Sequence, residues 1–344
     1  MAEKAALQIE TTAQKNRYAE RIKKLLSARE TGVFIALLLM CFFLSQTTPA
    51  FLTVRNLLNV GRQISLLGIM AVGMTFVLIS REIDLSVGST YALAGLISGM
   101  LIVQQWGLLP AVGAGLFIGA LVGLVNGLFS TYGLLPSFIT TLGMMSVARG
   151  AALLITNGQP VTINATVGAD PETLRIFYFI GQGRVFDVIP MQLVFFIIVA
   201  ILGWVLLSRT VFGFRAYAVG GSDKAARVSG IKVFNTKIQA FVIMGVSSAL
   251  AGILSLAFLP SGQAGRTGVG LELDVIAAAV VGGASLSGGE GTILGTILGV
   301  LIIGVLRNGL VLLGISPFWQ EAIIGIVIIL AVGIDKWTSR RRGR

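Results

Sequence analysis

The sequence predicts an all-α polytopic membrane protein of about ten transmembrane helices, with short or broken helices near its centre and both termini cytoplasmic. Three observations carry that reading. Hydrophobic residues make up 55 % of the 344 and charged residues only 12 %, a balance outside the range of soluble globular domains. Apolar segments of roughly membrane length follow one another along the chain. Basic residues are bunched: 18 of the 26 Lys and Arg lie before Gly32, between Arg209 and Lys237, or after Ile334. That is the pattern of cytoplasmic loops and not of a nucleic-acid footprint, so no nucleic-acid partner is expected.

Taken in order, residues 1–31 read as a charged cytoplasmic arm, too long and too polar for a cleaved signal peptide. A transmembrane region over 32–335 follows. Its apolar segments begin near Val33, Ile64, Leu85, Leu108, Leu134, Val188, Ile238, Leu271, Gly291 and Phe318, of which the eighth and tenth are short. Two basic termini on one side demand an even number of crossings. Ten satisfies this, and so does eight with one re-entrant segment. The polar stretch 156–187 holds two basic and three acidic residues and is placed outside. This returns the chain to the cytoplasm before a basic loop over 208–237, and a basic cytoplasmic tail occupies 336–344.

Two glycine patterns stand out. Gly115, Gly119, Gly123 and Gly127 recur every four residues, as do Gly291, Gly295 and Gly299, giving smooth stripes that allow close helix approach. They serve as tight packing or as sliding surfaces. Between Ser261 and Gly291 a glycine-rich lead precedes barely a dozen apolar residues and a glycine-rich exit. Backbone groups cannot be left unpaired in lipid, so this broken element is expected inside the bundle or beside a watery cavity.

Enzymatic chemistry is missing from the residue pattern. The chain has no histidine and one cysteine, Cys41, which excludes an internal disulfide framework and argues against zinc, haem or thiol catalysis. The run "GGEGTILG" lacks the Lys-Ser or Lys-Thr that grips nucleotide phosphates. Glu82, Asp84, Glu272, Asp274 and Glu321 are too few and too peripheral for a central proton relay. Any energy source must therefore come from an ion gradient or from another polypeptide.

Within the basic loop, "GGSDKAARVSGIK" reads as a two-turn helix. Ser222 or Asp223 caps its start, and Gly230 closes it as a left-handed residue. Ala225, Ala226 and Val228 form a small apolar face, leaving Lys224 and Arg227 for water, anionic lipid or a partner.

Together "REIDLSVGS", "LPSFITTLGMMSVARGAALLITNGQP", "AVGGSDKAARVSGI" and "LELDVIAAAVVGGASLSGGEGTILGTILGVLIIGVLRNGL" resemble the membrane permease subunit of bacterial ABC importers for monosaccharides. That group includes ribose, xylose, arabinose and galactose permeases and a relative for autoinducer-2. The resemblance covers about Phe51 to Asp335. It implies a multi-pass protein of the bacterial inner membrane without an ATPase site of its own. It also implies a second permease subunit, with a homodimer favoured, and a cytoplasmic ABC ATPase that holds ATP and Mg. A periplasmic or lipid-anchored sugar-binding protein would deliver a monosaccharide. No cofactor is expected on this chain.

Carried onto this chain, the resemblance makes Gly221, Ser222, Asp223, Lys224, Ala225, Ala226, Arg227, Val228, Gly230 and Ile231 the ATPase-coupling element. Lys224 and Arg227 would supply charge contacts there, while Ala225, Ala226 and Val228 would seat the helix. Asn126, Ser137, Phe138, Thr140, Thr141, Glu272 and Asp274 are candidates for the transport path, because polar or aromatic groups there interrupt apolar runs near glycine breaks. Helix-to-helix hydrogen bonding is the alternative role for each. Arg149 and Arg307 are expected to snorkel or to pair with a carboxylate.

Asp84, Ser86 and Gly88 belong to the acidic motif, with Asp84 read as the N-cap of a cytoplasmic turn. Ser80, Arg81 and Glu82 precede it where the resembled sequences more often carry glycine. Arg81 and Glu82 could form an adjacent surface pair or orient Asp84. Two other functions fit the same composition: an ion-coupled carrier or channel for small polar solutes, and a non-transporting membrane scaffold.

Overall fold

The computed structural model describes residues 29–164 and 169–341. Most of the expected arm and the last three residues of the expected tail lie outside the described residues. The described chain is mainly helical: α1 Arg29–Thr47, α2 Val54–Ile79, α3 Val87–Val103, α4 Leu108–Thr131, α5 Ser137–Thr156, α6 Pro171–Gln182, α7 Met191–Arg209, α8 Val211–Gly221, α9 Asp223–Val228, α10 Val233–Phe258, α11 Leu271–Val281, α12 Ile293–Leu312 and α13 Pro317–Arg341. Four two-residue strands form two antiparallel pairs. β1 Val161–Thr162 pairs with β4 Ser261–Gly262, and β2 Arg184–Val185 with β3 Ile189–Pro190.

Helices fall on all ten predicted apolar segments. Seven of them, α1, α2, α4, α5, α7, α10 and α12, are long and apolar enough to cross a membrane. α3 has 17 residues, at the lower limit of a crossing. α11 has 11, and the apolar part of α13 spans only Phe318–Val327.

Local chemistry sets the boundaries. Thr53 caps α2 by accepting from the Asn56 amide, and Thr292 caps α12 by accepting from Gly295. Asp170 accepts from the Thr173 amide ahead of Pro171, a residue suited to a first helical turn. α2 is the centre of the bundle: Ile69, Met70, Phe76, Leu78 and Ile79 are fully buried, and α7, α8, α10, α11 and α12 pack around it. Lipid offers no hydrophobic drive for helices to associate, so close packing and interhelical hydrogen bonds must hold this bundle. The outward faces of α1, α4, α5 and α7 are aliphatic and aromatic, as lipid requires; Phe42, Phe117, Leu154 and Leu202 are examples.

Both glycine stripes find partners. A Cβ added at Gly119 or Gly123 would strike the backbone of α10 at Gly245 and Phe241, and one at Gly127 would strike Ile238. The stripe of α4 thus lies directly on α10. Gly295 and Gly299 lie on Gly282 and Ala278 at the end of α11.

The broken element is where the sequence placed it. From the β1–β4 pair the chain runs inward beside α3, with Gly262 against Leu96 and Gly268 against Tyr91 and the Gly88 backbone. It then turns into α11. Only the 11 residues of α11 are helical in this segment, the rest being β4, turns and irregular backbone, and Ala264 is completely buried.

Candidate functional site

The basic loop folds as two helices, α8 and α9, ahead of α10. Thr210 caps α8, and Ser222 caps α9 through the Ala225 amide at 3.3 Å, which settles the choice between Ser222 and Asp223. Gly230 has φ 77°, the left-handed closure that its position demanded. Gly221 and Lys224 are exposed, and Ile231 is half-buried.

The seating of α9 differs from expectation. Ala226 alone of the three apolar residues turns inward, forming a small core with Val219 and Val233, flanked by Ile231 and Phe234. Ala225 is exposed, and Val228 is 91 % exposed. At about 100° per residue Ala226 and Val228 point nearly opposite ways, so burying the first exposes the second. Arg227 lies with its guanidinium 4.6 Å from the centre of the Phe234 ring, which in turn meets Tyr132 edge-on at 5.0 Å. It therefore braces the helix as well as facing water.

The acidic motif also differs. Ser86, not Asp84, is the N-cap of α3, and Asp84 is only 2 % exposed. Its Oδ1 accepts from the Ser86 amide at 2.8 Å and from the Ser86 hydroxyl at 2.7 Å. Asn126, on α4, donates to Ser86 Oγ at 2.9 Å and to Asp84 Oδ2 at 3.4 Å. Burial pushes the Asp84 carboxyl up, and the Ser86 and Asn126 donors oppose that shift. Glu82 does not pair with Arg81. It meets Lys237 Nζ at 2.8 Å, and the same ammonium contacts Asp223 Oδ2 at 2.9 Å.

The seven path candidates fall into separate local networks. Asn126 is completely buried in the Asp84 cluster. Ser137 Oγ accepts from the Ile83 amide at 3.3 Å, and the Thr141 hydroxyl donates to Ser137 O at 2.8 Å and to Ile83 O at 3.4 Å. Thr140, one position before Thr141, has a buried hydroxyl without a partner, and Phe138 is half exposed. Asp274 accepts from Arg307 at 2.7 Å, the carboxylate pairing expected for that arginine. Glu272 lies against Gly88, where an added Cβ would meet its Oε2.

Arg149, on α5, takes a different role from the one expected. It donates to the carbonyls of Ala264 and Thr267 at 2.8 and 2.5 Å, satisfying backbone acceptors of the broken element. Sequence reasoning missed this clamp and the Lys237 triad. The signal for the second was available: Lys237 is a lone charge in the first turn and a half of a long apolar helix.

The family described as "Branched-chain amino acid transport system / permease component" matches residues 56–332. The ribose import permease protein RbsC of Escherichia coli (strain K12) is 43 % identical over 306 residues, covering 89 % of this chain and 93 % of that protein. RbsC of Bacillus subtilis (strain 168) is 41 % identical over 312 residues, covering 90 % and 94 %. The xylose transport system permease protein XylH of Escherichia coli (strain K12) is 34 % identical over 355 residues, covering 88 % and 90 %. No solved structure matches the chain.

Proposed function

Because the chain belongs to the branched-chain amino acid transport system / permease component family, we propose that it is the membrane-spanning half of an ATP-driven importer for a monosaccharide, ribose or another pentose or hexose. The observation that carries this reading is the 43 % identity to a ribose import permease across nearly the whole of both chains. The protein is a transporter subunit, so ATP and Mg belong to a partner ATPase. A second copy of the chain and an extracytoplasmic sugar-binding protein complete the assembly in the inner membrane.

In this reading the chain crosses ten times, with α3, the broken element with α11, and α13 completing the seven longer helices, and both termini are cytoplasmic. α9 is the docking element on the cytoplasmic side. Its exposed Ala225 and Val228, with Lys224 beside them, would enter a cleft on the ATPase, while Ala226 and Arg227 hold the helix to its own subunit. Movement of the paired ATPases would then tilt the spans and alternate access to the path. A neutral polyol needs hydrogen bonds and not a countercharge. That suits α5, where Ser137, Phe138 and Thr140 are the candidates nearest an open face.

Uptake of labelled monosaccharides into proteoliposomes holding this chain, its ATPase and its binding protein tests the proposal. Uptake should require all three components and ATP, and Val228→Glu should abolish most of it by placing a charge in an apolar contact. Substrate movement in the absence of the ATPase would overturn the reading in favour of a carrier or channel.

A further inference from the structure

We propose that the turn Glu82–Ile83–Asp84 is the junction through which displacement of α9 reaches α4 and α5, with Glu82 and Lys237 as its positioning residues. The inference rests on the docking role of α9 proposed above and names the route by which that contact acts.

Three consecutive residues of this turn each reach a different element. Glu82 holds Lys237 of α10 at 2.8 Å, and Lys237 holds Asp223, the first residue of α9, at 2.9 Å. Ile83 donates its amide to Ser137 Oγ and accepts from the Thr141 hydroxyl, both on α5. Asp84 accepts from Asn126 on α4 and from Ser86 at the start of α3.

The turn cannot absorb motion by itself flexing freely. Its own backbone is pinned to the end of α2 by Arg81 N to Leu78 O at 2.9 Å and Glu82 N to Val77 O at 3.0 Å, and Arg81 sits in the left-handed region at φ 62°. The ion contacts are sheltered: the Glu82 and Lys237 side chains are each 11 % exposed, and Asp223 is 36 % exposed. Sheltered charges interact over a short, weakly screened distance, so a shift of Asp223 is transmitted to Glu82 and not lost to solvent. A surface pair would carry little.

In the complete reconstituted transporter, Glu82→Gln and Lys237→Met should lower sugar uptake per ATP hydrolysed by about fivefold or more. Basal hydrolysis should stay near wild type in Glu82→Gln, and Lys237→Arg should recover most of the ratio. Equal losses of uptake and hydrolysis, or an unchanged ratio, would overturn the junction.

A second arm needs no ATPase. In a Cys41→Ser background, Phe138→Cys on α5, at a half-exposed position, is labelled with a soluble thiol reagent in the purified permease. Adding Lys237→Met should change the labelling rate about threefold or more if the turn sets the position of α5, and an equal rate counts against it. A wild-type assembly with no ATP-dependent uptake, combined with an altered labelling rate, would leave the junction standing and sink the importer reading instead.

Discussion

Gly220 and Gly221 are adjacent, both helical and chemically identical, yet replacing each by alanine should give opposite results. A methyl at Gly220 would land inside the carbonyl oxygen of Ile79 and against the amide of Gly289, whereas one at Gly221 meets nothing within 4 Å. The obstacle at Gly220 is backbone from two other segments, so no rotamer change relieves it. The end of α8 must move away from the end of α2.

Overpacking a well-packed site costs about 1–3 kcal/mol. The same displacement strains the Gly289 amide to Ile79 carbonyl bond, 2.9 Å long, and an orphaned buried amide adds about 1–3 kcal/mol. Alanine's better helix propensity returns about 1 kcal/mol at either position. Gly220→Ala should therefore lose about 1–5 kcal/mol, while Gly221→Ala should be neutral or slightly stabilised. The single half-buried Cys41 allows both to be followed by a thiol-reactive dye during heating of the purified permease. Gly220→Ala should unfold several degrees earlier than Gly221→Ala. Melting of the two variants at the same temperature would refute the packing argument.

Arg149→Met should leave the Ala264 and Thr267 carbonyls without their donor, and amide exchange over 263–268 should quicken by tenfold or more while α10 is unchanged. Arg307→Met leaves Asp274, 8 % exposed at its side chain, as an uncompensated acid. It should lower stability by about 1–3 kcal/mol, and adding Asp274→Asn should recover most of the loss in a thermal melt. Asp84→Asn should fold and Asp84→Ala should melt earlier, because the amide keeps an acceptor for Ser86 and can donate to Asn126 Oδ1, which has no partner. Since burial raises the Asp84 carboxyl above its ordinary value, its contribution is full below the ordinary carboxylate range and declines as pH rises through the raised value. The melting temperature of wild type should therefore fall with rising pH relative to Asp84→Asn, and parallel pH profiles would contradict this.

Long-range order of the helices was legible because lipid imposes a length and a polarity on every crossing. The segments beginning at Val33, Leu108 and Gly291 each became a helix. The broken stretch after Ser261 was legible for the same reason, since glycine and polar residues cannot continue an unsupported apolar helix. Caps at Ser222 and closure at Gly230 followed from local hydrogen bonding.

What escaped was everything requiring two distant segments to meet. Lys237 and Glu82 are 155 positions apart, and Arg149 finds carbonyls 115 and 118 positions away. A carbonyl acceptor leaves no mark in the residue alphabet at all. The inward turn of Ala226 was not legible because a six-residue helix gives too few turns for an apolar stripe to declare its side.

The contact of α4 with α10 has a consequence for inheritance. Gly119 and Gly245 meet with backbone against backbone, and a Cβ on either would strike the other's carbonyl. At most helix contacts a lineage that acquires a larger residue on one side can restore fit by a smaller one opposite. Here neither partner has a side chain left to trim. The two positions cannot drift by exchanging bulk. They are fixed one at a time, and a variant library aimed at this seam should return glycine at both positions independently, with no correlation between them.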